Sequence, residues 1–412
     1  MKRILALALA LAALLTMAAC GNTGAAQETT AAPTEEKVQT NVAEPLTWEK
    51  INAIPVATDS MTEEELRQIC LDTMRMQLTF TWTPSVETPY NSGFGDKTFY
   101  VGAVYGGAPY QKNRFGNIYK MMYFYDEDNG MMDLSGGDAT IAIICNQCAG
   151  AAFTGWARVC NGMNVRGTAD VTEFNGCLRV GPYTYDSYIA TFTAKDTKTI
   201  CTDNGDQVMY ESYAAAKPAD GLVNYVNAGH VRMISGTPNV VRKEDGSIDG
   251  YASTLTYMDQ IQNWTKYTQS NGVEYEVEGG IDVEVRFVDL FVDGYLPFTL
   301  AELIKQAPVE KAEASIGIDK DSVTALDLAR ANLTSNYIMS DITVSVKDSE
   351  GKEVHHKDTI LSSQLMIYES ILSIALDRDA LAQYSDGSYT IEISTRVGTG
   401  EKVVAYTGKL VA

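Results

Sequence analysis

The sequence predicts an α+β unit followed by an all-β sandwich, and three patterns carry that reading. Apolar residues 141–144 give way at Asn146 to Ala149, Ala152, Phe153 and Trp156, which fall on one face of a helix. Residues 222–226 and 230–234 read as strands flanking a turn at Asn227-Ala228-Gly229. After residue 340 the spacing changes to alternation, Ile342/Val344/Val346 and then Tyr389/Ile391/Ile393, as in half-buried strands. A chain of 412 residues with 45% hydrophobic content is long enough for two such cores.

The N-terminus reads as targeting sequence. Met1-Lys2-Arg3 is a basic start, residues 4–15 an apolar core, and Met17-Ala18-Ala19-Cys20 a small-residue cleavage site. The arrangement resembles a bacterial lipoprotein signal over 1–19, with Cys20 as the lipid-bearing first residue. It implies an extracytoplasmic protein anchored to the bacterial cell membrane through Cys20. Residues 20–45, rich in Ala, Thr, Glu and Pro, cannot bury enough surface to fold and read as a flexible tether. A net charge of −21 argues against nucleic acid and anionic membrane surfaces as partners.

The first unit spans 46–305. Thr62 and Glu65 form a capping-box pattern ahead of a helical stripe, Leu66, Ile69, Cys70 and Met74. Aromatic residues follow, with a turn at Gly106-Gly107-Ala108-Pro109-Tyr110, and then a second helical stripe, Ile118, Met121, Met122 and Tyr125. Asn146 reads as the N-cap of the next helix. That puts Cys148 in the first turn, where the dipole and free N–H groups favour a thiolate. Of three histidines, only His230 lies in the same predicted unit, 46–305, as Cys148.

The run Gln147-Cys148-Ala149-Gly150, with Phe153 and Trp156 behind it, resembles the NlpC-type cell-wall peptidases. These are papain-like enzymes whose nucleophile opens a helix in an Asp-Cys-Ser-Gly pattern; here Gln147 stands for the acid and Ala149 for the serine. Gly229 to Met233 is similar to the family's Gly-His-Val-x-Met strand, which carries the catalytic histidine. The resemblance implies a papain-like domain with Cys148 as nucleophile and His230 as base. It implies Tyr110, in the family's Gly-x-Pro-Tyr turn, as a residue bordering the active site. Peptidoglycan stem peptide is the implied substrate, and no cofactor or metal is called for. Residues 161–205 read as an insertion that lengthens the Cys148–His230 spacing, forming a cleft wall or surface elaboration.

A polar group that accepts the second imidazole N–H would fix the tautomer of His230. Gln260 is the choice for that role, with Asp259 and Gln262 as close rivals. Residues 305–313 read as a linker. The alternating strands of 306–412, separated by turns such as Ser349-Glu350-Gly351 and Ser385-Asp386-Gly387, predict an immunoglobulin-like sandwich. His355-His356 cannot easily share a metal, since neighbours on a strand point to opposite faces. Other readings are a non-catalytic papain-like shell that binds, or a thiol–disulfide exchange site at Cys145-x-x-Cys148. The isolated Cys160, Cys177 and Cys201 do not make a zinc set, and Ser135-Gly136-Gly137-Asp138 lacks the residues of a phosphate loop.

Overall fold

The computed structural model describes residues 45–161, 167–226, 228–268, 272–362 and 367–412. The expected signal segment 1–19, Cys20 as the expected lipid site and all but the last residue of the expected tether lie outside them, as does Asn227 of the turn. Among the described residues, no helix is long and apolar enough to cross a membrane.

The chain is mixed α/β, and its spine is a ten-stranded sheet. At its centre lie two hairpins, Gly221–Val226 with Ala228–Ile234 and Thr254–Thr268 with Glu274–Arg286, paired antiparallel through Met258 and Met233. Leu296–Leu300 extends one side, and the short strand Cys177–Arg179 closes that edge. So the 161–205 segment is not wholly surface elaboration: part of it is the sheet's edge strand. Its Thr168 also packs on Gly229, where a Cβ would stand only 2.4 Å from the threonine Cβ. A side chain at 229 would push this segment off the strand that carries His230.

Two helices fix what packs on the sheet. Glu63–Thr79 starts at the predicted capping box, Thr62 and Glu65 each serving the other's backbone N–H. Cys148–Trp156 is built of small residues and lies buried between that helix and the sheet. Gly155 permits this approach, since a Cβ there would come 2.8 Å from Met233 Cε and 3.1 Å from the Cys70 carbonyl. Trp156 locks the far end by donating from Nε1 to the Ala219 carbonyl at 2.8 Å. The stripe at 118–125 is helical only over Ile118–Met121, and the chain then turns into the strand Tyr125–Asp126.

Residues beyond 313 form two further sheets, of five and three strands, over a separate core that includes Ile342, Val344, Val346, Ile391 and Ile393. His356 bonds Glu353 and Asp358, while His355 lies near the Tyr384 ring, so the adjacent histidines serve different neighbours.

The seam between the two parts is polar and buried. Tyr123 Oη donates to Asp341 Oδ2 at 2.8 Å, and Lys120 Nζ donates to the Ser362 carbonyl at 2.9 Å. Arg158, 2% exposed, donates to the Thr399 carbonyl, to the Ile51 carbonyl at 3.0 Å and to Thr73 Oγ1 at 3.2 Å. Arg158→Ala strips donors from three buried acceptors. It is expected to lower unfolding stability by about 3 kcal/mol or more, with Arg158→Lys recovering part. Denaturant unfolding checks this, and a loss under about 1 kcal/mol would count against the seam as a major stabilising contact.

Candidate active site

Cys148 is the first residue of its helix, directly after the N-cap Gln147. Sequence reasoning gave the cap to Asn146, but Asn146 is engaged by a distant segment instead. Its N–H donates to the Pro109 carbonyl and its own carbonyl accepts from Gln111 N–H, both at 2.8 Å. The side-chain Oδ1 accepts the Gln147 N–H at 2.8 Å. Gln147 accepts the Asn113 N–H on Oε1 at 3.0 Å and so pins the same segment. No side chain caps the helix. Its first N–H groups therefore point at the end where the Cys148 thiol sits.

That segment brings in Tyr110, which pairs with Asn146 two residues before the thiol. The turn is held from behind by Glu278, whose Oε2 accepts the Tyr110 N–H at 2.6 Å and the Tyr90 hydroxyl at 2.8 Å. Lys97 pairs with the same carboxylate, which is 1% exposed. A buried carboxylate with a cation, a phenol and a main-chain donor is well satisfied and rigid. Tyr110 shares its surroundings with Phe94, ring centroids 6.0 Å apart.

The partner of Cys148 is His230, near the start of the strand Ala228–Ile234, with its side chain 20% exposed. Burial pushes the Cys148 thiol up, but the charge and hydrogen bond of His230, with backbone hydrogen bonds at Val231 and Ala149, bring it below its ordinary value. Burial pulls His230 down, and the thiolate together with Asp259 raises it to about 9. Each charged form thus favours the other: the imidazolium lowers the thiol, and the thiolate raises the imidazole.

The third residue is Asp259, not Gln260. Asp259 Oδ2 lies 2.7 Å from His230 Nε2, and Oδ1 accepts the Gly280 N–H at 3.1 Å. Alternation along the strand sends Gln260 to the opposite face, where it donates from Nε2 to the Ala108 carbonyl at 2.5 Å. Gln262 offers its carbonyl to Lys97 beside the strand's bulge. Burial pushes Asp259 up, yet the hydrogen bond and charge of His230, then Arg232 and the Gly280 N–H, hold it below the usual carboxylate range.

Cys145, three residues before the thiol, faces elsewhere. It packs with Trp82, Phe99 and Tyr105 in one cluster, while Cys148 belongs to another. Burial, with Glu278 nearby, pushes the Cys145 thiol well above its ordinary value. Among the described residues all cysteines are free thiols, and no group of three or more His, Cys, Asp or Glu could hold a metal ion.

No protein-family model matches this chain, and no curated protein matches it either. Sequence reasoning missed Arg232, Tyr257, Tyr295 and Glu278. Only Arg232 left a signal, since a residue two places from a strand histidine shares its face.

Proposed function

We propose that this protein is an extracytoplasmic cysteine hydrolase, a peptidase or amidase of papain-like NlpC type. In this reading it is lipid-anchored at Cys20, cleaves peptidoglycan stem peptides, and has an immunoglobulin-like sandwich as its C-terminal unit. The observation that carries the hydrolase reading is the ordered line of Cys148, His230 and Asp259. A thiol at a helix start meets an imidazole, and a buried carboxylate takes the far ring nitrogen. The placing of Cys145 in a different core favours hydrolysis over thiol–disulfide exchange.

In such a site the Cys148 thiolate attacks the amide carbon, and the carbonyl electrons move onto oxygen. That oxyanion is stabilised at the helix N-terminus by the Cys148 N–H. His230 gives its proton to the leaving nitrogen as the C–N bond breaks, which leaves a thioester. Water then attacks the thioester carbonyl, His230 takes its proton, and the acid departs as the thiolate re-forms. Asp259 holds the ring orientation throughout.

Digesting purified muropeptides with the full chain and reading the products by mass spectrometry tests the substrate. Cleavage within the stem peptide is expected, and intact muropeptides with an alkylatable Cys148 would remove that substrate class. The rate should trace a bell in pH. It rises where Cys148 loses its proton, below the ordinary thiol value, and falls near pH 9 as His230 loses its own. A rate still climbing beyond pH 10 would point to an isolated thiol.

A further inference from the structure

We propose that Arg232 is a positioning residue for this site: clamped between two tyrosine rings, it fixes the Asp259 carboxylate against His230 and supplies the charge that balances the buried set. The inference rests on the hydrolase reading of Cys148 and His230. Arg232 follows His230 by two residues, so both side chains leave the same strand face. Its Nε donates to Asp259 Oδ2 at 3.3 Å, the same oxygen that lies 2.7 Å from His230 Nε2. The guanidinium stands 4.0 Å from the Tyr257 ring centroid and 4.4 Å from that of Tyr295. Its side chain is 16% exposed, against 2% for Asp259. A desolvated guanidinium stacked on aromatic faces gains cation–π attraction and has few rotamers left. Tyr295 also meets the His230 ring edge to face, with centroids 6.5 Å apart, so one ring braces both cations.

Charge counting gives the consequence. Thiolate, imidazolium, carboxylate and guanidinium sum to zero, and removal of Arg232 leaves one uncompensated negative charge. A poorly solvated site with excess negative charge takes up a proton more readily, so the thiolate should form only at higher pH. The other titratable groups facing Arg232 and Asp259 are the phenols of Tyr257, Tyr267 and Tyr295 and the carboxyl of Asp293. Burial raises all three phenols, which stay neutral through the working range. Asp293, pushed up by burial and by Asp289, is drawn back by Arg232 and then by Lys198, so its charge is shared between those two cations and lies outside the zero sum of the buried set.

The test is the pH dependence of Cys148 alkylation by iodoacetamide in the full-length protein, located by peptide mass spectrometry. It needs no substrate. Arg232→Met keeps bulk between the rings, and Arg232→Gln is made beside it so that one folded variant suffices. The acid limb should move up by about one pH unit, slowing alkylation about tenfold below it, and Arg232→Lys should restore most of the shift. A folded Met or Gln variant with an unmoved limb overturns the role of Arg232. If His230→Ala nonetheless slows alkylation in that case, the hydrolase reading stands without it. Alkylation indifferent to His230→Ala removes both.

Discussion

Cys148→Ala is expected to abolish turnover, a loss of at least about 10⁴-fold, and His230→Ala to fall as far. Cys145→Ala should keep turnover within about threefold of the native rate, at some cost in stability. The contrast follows from where each thiol lies. Cys148 opens a helix beside a charged imidazole, and every contribution except burial favours its thiolate. Cys145 closes the preceding helix, Asp138–Ile144, and is wholly buried, with a carboxylate nearby that opposes ionisation. Alkylation should accordingly reach Cys148 first and slow markedly in His230→Ala. Equal loss in both cysteine variants, with His230→Ala unaffected, would sink the hydrolase reading and leave thiol–disulfide exchange.

What could be read in the sequence was local. The capping box at Thr62 and Glu65, the small-residue helix from Cys148, the hairpin around Gly229 and the alternation at 342–346 depend on neighbours within a few residues. The structure forms all four, although the strand at 342–346 is buried on both faces and not half-buried, Thr343 and Ser345 being hidden like their apolar neighbours. Misread features were decided by partners far along the chain. Asn146 has the residue type of a cap, but Pro109 and Gln111 claim its backbone as a strand-like bridge. The buried pair of Lys97 and Glu278 that backs the Tyr110 turn joins residues nearly two hundred positions apart, and nothing near either residue announces it. The seam is equally hidden. A linker at 305–313 suggests two separable bodies, yet Arg158 and Lys120 spend their charges on carbonyls from across the boundary.

Asp259→Asn is expected to lower kcat on the order of 10²-fold, with little change in unfolding stability relative to that loss. Asparagine has a single acceptor oxygen, so it can serve either His230 Nε2 or the Gly280 N–H, and its amide NH2 faces the other. It removes the negative charge that holds the imidazole protonated and in one orientation. The His230 limb of the pH profile should therefore move down from about 9 toward the ordinary imidazole value. Gln260→Ala should do the opposite: turnover near native, and stability lowered by about 1–3 kcal/mol as the Ala108 carbonyl loses its donor inside the core. The choice between neighbours turns on strand register. Alternation guarantees that only one of residues 259 and 260 faces the histidine, and the pairing of Tyr257 with Ile234 and Met258 with Met233 sets which one. A large loss of kcat in Gln260→Ala, with Asp259→Asn close to native, would overturn the assignment of Asp259.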